Sequence, residues 1–106
     1  METFKLPRAG GTYYEITGTA LTEVHRRDPV GAIRHDMVIQ LASGEKVLYI
    51  YSRPAYPMAN KHAGVMLVYR NAQNMTAEEI ASARGSDSNN AEIFNALGTV
   101  TLEVIA

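Results

Sequence analysis

Positive charge and aromatic rings are concentrated in one segment of the chain, residues 46–77, which contains no carboxylate. A guanidinium group binds a phosphate or carboxylate through two parallel hydrogen bonds, and an aromatic ring in a nucleic-acid site contributes about 1–3 kcal/mol per stacked base. The segment therefore predicts a binding site for an anionic ligand, which is a nucleotide, a nucleic acid or an acidic protein surface. Its cations are Lys46, Arg53, Lys61 and Arg70, with His62 beside them, and its tyrosines are Tyr49, Tyr51, Tyr56 and Tyr69.

Strand alternation assigns two of these tyrosines to one side of a predicted strand, because successive side chains point to opposite faces of a sheet. Tyr49 and Tyr51 share their side with Arg53, and the aliphatic Leu48 and Ile50 occupy the other side. If the aliphatic side meets the core, the rings lie at the exterior. The alternative is that the same row packs under the first strand or forms a homodimer interface. The predicted ligand-binding residues, none of which is assigned a catalytic role, are Tyr49, Tyr51, Arg53, Tyr56, Lys61, His62 and Arg70.

The three histidines predict no metal site. We expect His25, His35 and His62 to lie far apart on different predicted elements, and no two of them have the close spacing of a chelating pair on a helix. The neighbouring side chains of His35 and Asp36 point to opposite faces of a strand. We therefore expect neither a metal nor another cofactor.

Nucleophilic catalysis finds little support in the residue types. The chain has no cysteine and no Gly-x-Ser-x-Gly nucleophile motif. The run from Gly85 to Ser88 has the small polar residues typical of a loop between helices. One catalytic alternative stays open, a metal-independent nuclease or hydrolase in which His25 and His62 exchange protons with the substrate beside neighbouring cations.

Periodicity and turn signals place the elements that must position these residues. We predict an irregular arm over residues 1–12, then four strands, two short helices and a last strand, with a long loop at 53–64. The fold class is therefore α+β: a mainly antiparallel sheet or small open barrel of about five strands, in the order β-β-β-β-α-α-β, with two short helices packed on it. The strands are predicted at 13–25, 33–41, 46–52, 65–70 and 99–106.

Both helices have start and stop signals. Thr76 with Glu79 three residues later is typical of a capping box, and Gly85 ends that helix. Asn89 with Glu92 predicts a second capping pair, and the second helix ends at Gly98.

The first long strand has a break in its pattern at a glycine. Tyr14, Ile16, Ala20 and Val24 are predicted to share one side, with a bulge or bend at Gly18. The arginines of the turn that follows, at 26–27, join the predicted site only if the fold brings them close to it.

Length and composition predict one globular domain over residues 1–106. With 46% hydrophobic residues the chain has enough apolar surface for a core without disulfides. Ten basic and eleven acidic residues give a net charge of −1, which excludes a general polyanion binder. No apolar run has the length of a membrane span, and the first residues lack the hydrophobic region of a secretory signal, so we expect a cytoplasmic protein with no membrane partner.

These observations favour a small non-catalytic binding protein that acts by occupancy. The Tyr/Arg face and the 53–64 loop would capture the anionic ligand. Two modes of action fit: sequestering a nucleotide, or masking a nucleic-acid-binding partner as small phage-encoded inhibitors do. The structural alternative is an assembly protein that uses the same face as a subunit interface, and we expect a homo-oligomer.

Overall fold

Five strands form one antiparallel sheet in which the order in space is the order along the chain. The computed structural model describes residues 1–27, 31–54, 64–85 and 90–99. Two short helices follow the sheet, which confirms the predicted α+β class. The elements are β1 (Glu2–Arg8), β2 (Thr12–Arg27), β3 (Ile33–Gln40), β4 (Lys46–Arg53), β5 (Val65–Tyr69), a 3-10 turn (Ala72–Asn74), α1 (Ala77–Arg84) and α2 (Ala91–Leu97).

The first strand of the sheet is one that the sequence did not predict. Residues 2–8 pair with β2 from Glu2 opposite Gly18 to Arg8 opposite Thr12, so the prediction of an irregular arm is wrong there. Pro7 obscured the pattern, but a proline is tolerated on an edge strand because one side of that strand needs no ladder hydrogen bonds. Of the predicted last strand, residues 100–106 lie outside the described part of the chain.

The sheet is curled, and a separate apolar cluster packs on each of its faces. Val38, Leu48 and Ile50 pack against Ile80 of α1 and Ile93 of α2, on what we call the helix face. The opposite face, which we call the inner face, is covered within the same chain because β1 curls round to approach β5. Its buried residues are Leu6, Met37, Ile39, Tyr49, Tyr51 and Met66.

Local capping fixes the start of α1 as the sequence predicted. The Thr76 hydroxyl accepts a hydrogen bond from the Glu79 amide at 3.1 Å, and the Thr76 amide donates to the Glu79 carboxylate at 3.0 Å. This reciprocal box satisfies two amides that have no partner within the helix. Helix α2 differs, because its N-cap is Asn90 and that side chain accepts a hydrogen bond from Arg84 instead of capping the helix.

A β-bulge divides β2 into two halves that face opposite ways. Ala20 lies opposite Ile39, but Thr22 lies opposite Val38, so Leu21 is an extra residue in the ladder. The alternation shifts by one at that point, since a bulge places two residues of one strand against one of its neighbour. Val24 therefore packs on the helix face, and its predicted place beside Tyr14, Ile16 and Ala20 on the inner face is wrong.

Gly18 is required by a close approach of β3. A Cβ atom at this position would overlap the Gln40 carbonyl oxygen and lie 2.8 Å from Cγ2 of Ile39. Because Gly18 has no side chain, β2 can lie close against the end of β3 just before the bulge.

Gly18→Ala should lower the free energy of unfolding by about 1–3 kcal/mol, because the backbone of β3 must move to admit the methyl group. Urea denaturation measures this loss. The exposed neighbour Thr19→Ala is the control, and its stability should stay within about 0.5 kcal/mol of the wild type. Equal stability of Gly18→Ala and the control would contradict the close approach.

Candidate functional site

The two strand tyrosines of the predicted site lie in the interior. The relative exposure of Tyr49 is 0% and that of Tyr51 is 7%. The Tyr49 hydroxyl donates a 2.7 Å hydrogen bond to the Pro7 carbonyl of β1, and burial raises the pKa of the phenol. Their predicted exterior position is wrong because the curl of the sheet brings β1 over them. Neither ring therefore forms an exposed surface in this chain.

The two described cations of the predicted site lie at opposite ends of the sheet. Arg53 ends β4, whereas Arg70 follows Tyr69, which pairs with Leu48 near the start of β4. Eight residues of strand span about 23 Å. The prediction that Arg53 and Arg70 share one surface is therefore wrong. Tyr56, Lys61 and His62 lie outside the described residues.

Arg70 forms a two-point ion pair with Glu45. Its Nη2 and Nε donate to the two carboxylate oxygens at 2.7 Å and 3.0 Å, and the Asn71 amide donates to the same carboxylate at 2.9 Å. The guanidinium group holds the pKa of Glu45 below its usual value. Arg70 therefore has a structural partner at the turn between β3 and β4.

Four arginines lie at the other end of the sheet, on two neighbouring cross-strand rows whose side chains point to opposite faces. Arg26 lies opposite Arg34, which in turn lies opposite Ser52, and this row is on the helix face. The second row, on the inner face, consists of Arg27, Ile33 and Arg53. Neither row contains a carboxylate among the residues that the structure describes. We call these four residues, Arg26, Arg27, Arg34 and Arg53, the arginine end.

The position of Arg34 is fixed by the end of α1. Its Nη1 donates a 2.8 Å hydrogen bond to the Arg84 carbonyl, where a cation also interacts favourably with the helix dipole. Beside it lies a cavity of about 190 Å³ between α1 and the ends of β4 and β5, with Ser52, Val65 and Gly85 in its lining. Pockets for drug-sized ligands measure about 300–1,000 Å³, so this one has room for a single phosphate-sized group.

A buried ion pair forms the floor of that cavity. Nε of Arg84 donates to the Asp36 carboxylate at 2.6 Å, and the side chains are only 1% and 5% exposed. Nη1 of Arg84 also donates to the Asn90 side chain at 2.7 Å, so one guanidinium group joins α1, β3 and the start of α2. The charges of Asp36 and Arg84 compensate each other, and the side chain of Arg34 also lines the cavity. Sequence reasoning missed this pair because its members are 48 residues apart.

Asp36→Asn should lower the free energy of unfolding by about 3–5 kcal/mol, because it leaves the Arg84 charge buried without its counter-ion. Chemical denaturation followed by circular dichroism gives the value. The matched control is Glu45→Gln, which removes a carboxylate from an ion pair whose arginine is exposed and should cost far less. A loss no larger than that of the control would show that the buried pair does not hold the helices to the sheet.

The bulge in β2 brings three potential metal ligands together. Glu23 and His25 follow the bulge on the inner face, and His25 lies directly opposite His35. The two imidazole rings stack with centroids 4.0 Å apart and planes 17° apart. The expectation that these two histidines are distant was wrong, because the sequence does not reveal the register of β2 against β3.

His35 occupies an unusual environment within this cluster. Burial lowers its pKa, and the neighbouring His25 lowers it further. Its Nε2 is buried and has no hydrogen-bond partner among the residues that the structure describes. The Tyr49 ring packs edge-on against the imidazole with centroids 6.5 Å apart. We call Glu23, His25 and His35 the histidine cluster.

Comparison of the chain with protein-family models, curated proteins and solved structures finds no match. Neither described helix has the length and apolar character that crossing a membrane requires. The function must therefore be argued from the two groups of side chains at this end of the sheet.

Proposed function

We propose that this protein is a small binding protein that acts by occupancy, and that its arginine end holds the phosphate groups of a nucleotide. The supporting observation is the sheet register, which sets four arginines at one end of the sheet, Arg26 and Arg34 on the helix face and Arg27 and Arg53 on the inner face. Guanidinium groups match phosphate oxygens in bidentate geometry, so arginine rows of this kind suit a phosphorylated ligand better than a single carboxylate.

Two of these arginines lie side by side on neighbouring strands. Side chains directly opposite each other on neighbouring strands have Cβ atoms about 4.5–5.5 Å apart, and like charges in such pairs destabilise a sheet. Arg26 and Arg34 form a pair of this type. A phosphate bound on the helix face beside Arg26 and Arg34 would meet two cations at once, and a ligand that binds only the folded protein also stabilises the fold.

The chain segment predicted to take part starts and ends at the arginine end. Residues 55–63 connect Pro54, which follows β4, to Gly64, which precedes β5. Gly64 has a φ of +113°, and a Cβ there would overlap the Ser52 carbonyl and lie 2.9 Å from Cα of Arg53. Tyr56, Lys61 and His62 belong to this segment, and we propose that they add to the site. The base or sugar of a nucleotide would extend from the 190 Å³ cavity past Ser52 and Val65, which lie close to the two ends of this segment.

Occupancy of this site would sequester a nucleotide in the cytoplasm without chemical change. The masking of a nucleic-acid-binding partner, as phage-encoded inhibitors do, would use the same arginines against a larger anion. These modes differ in the ligand that binds most tightly, which a direct titration measures.

Arg53→Glu should weaken binding of ATP by about 10–100-fold, because hydrogen bonds to charged groups contribute about 1.5–3 kcal/mol each. Isothermal titration calorimetry with ATP, and with adenosine as the ligand that lacks phosphate, measures this change. The control variant is Lys5→Glu, which alters the net charge equally at an exposed position on β1. ATP binding should also weaken as salt increases.

Three outcomes would overturn the proposal. They are adenosine binding as tightly as ATP, unchanged affinity in Arg53→Glu, and no ATP binding by the wild-type protein. Circular dichroism of each variant establishes that the fold is retained.

A further inference from the structure

The histidine cluster has the composition of a metal site with open coordination positions. It offers two imidazoles and one carboxylate, which together suit Zn²⁺, Ni²⁺, Cu²⁺ or Fe²⁺. Within the described residues this is the group of three ligand-type side chains whose donor atoms lie close enough together to share an ion.

The distances allow coordination once the His25 ring rotates out of its stack on His35, because a metal ion lies near the plane of each imidazole that binds it. One ligand atom from each residue lies within 4.8 Å of the other two, and Nε2 of His25 is 3.8 Å from a carboxylate oxygen of Glu23. A tetrahedral Zn²⁺ with bonds of about 2.0–2.1 Å holds its ligand atoms about 3.4 Å apart. Glu23 and His25 are both exposed, so their side chains can rotate without disturbing the core.

His35 provides the anchored member of the cluster. Its ring is held between the His25 ring and the edge-on Tyr49 ring. A buried polar atom without a hydrogen-bond partner is rare in folded proteins and calls for an explanation. Nε2 of His35 is such an atom, and a bound metal ion would supply its missing interaction.

We propose that Glu23, His25 and His35 bind one divalent transition-metal ion, which reaches the cluster from solvent on the side of Glu23 and His25. Three protein ligands leave at least one coordination position for water or an anion. Arg27 and Arg53 lie on the next cross-strand row of the same face, so an anion on the metal would also meet positive charge. The metal site itself does not depend on the proposed nucleotide binding, since no arginine is among its ligands.

Titration of the metal-free protein with ZnCl₂ in a calorimeter should give one bound ion per chain. His25→Gln and His35→Gln should each weaken Zn²⁺ binding by about tenfold or more, because loss of even an outer-shell partner costs about 10–100-fold. Glu23→Gln should weaken it as well, since the amide replaces a charged ligand with a neutral one. NMR should show Zn²⁺-induced shifts of the His25 and His35 ring protons.

The chain provides matched controls for both ligand types. His62→Gln removes the remaining histidine, and Glu15→Gln removes an exposed carboxylate from β2 on the other side of the bulge. Both should retain wild-type affinity, and Arg53→Glu should not weaken Zn²⁺ binding even if it abolishes ATP binding. A wild-type protein that binds no Zn²⁺ at millimolar concentration, or variants of the cluster that bind as the controls do, would overturn the proposal.

Discussion

The extra residue in β2 is the constraint on which both proposed sites depend. Before Leu21, the alternation of β2 directs Tyr14 and Ile16 to the inner face; after it, the same face receives Glu23, His25 and Arg27. A bulge re-aims every side chain that follows it, because the period of a strand is two residues. Without it, Val24 would leave the helix-face core and His25 would no longer face His35.

The two faces of the sheet have different roles at the end that contains residues 22–27 of β2. On the helix face, the buried Asp36–Arg84 pair fixes α1 and places its last carbonyl where Arg34 donates to it. On the inner face, Tyr49 and Tyr51 are buried, and the Tyr49 ring packs edge-on against His35 of the histidine cluster. Nε2 of His35 is buried and has no hydrogen-bond partner among the described residues, which destabilises the fold locally.

Much of the fold could be predicted because it is encoded by local signals. The alternation of side chains that identifies β3 and β4 lies within eight residues in each strand. The capping box formed by Thr76 and Glu79 lies within four residues. Leu48 and Ile50, the aliphatic side of β4, do pack against the helices. The α+β class and the antiparallel order follow from these elements and the turns between them.

The site could be predicted only in part, because its geometry depends on pairings distant in sequence. Alternation grouped Tyr49 and Tyr51 with Arg53 on one face, but it does not show that β1 will cover the rings. The partners of His25 and Arg27 depend on a bulge that the sequence placed at Gly18 and the structure places at Leu21. No local sequence pattern shows where the register of β2 against β3 changes by one residue.

The register of β2 against β3 is therefore the decisive quantity, and nuclear Overhauser effects between backbone protons of the two strands measure it. The bulge predicts cross-strand contacts that pair Thr22 with Val38 and His25 with His35. Contacts that instead pair Leu21 with Val38 and His25 with Arg34 would mean an unbroken ladder. In that ladder His25 would point to the helix face, and neither the histidine cluster nor the arginine rows would exist.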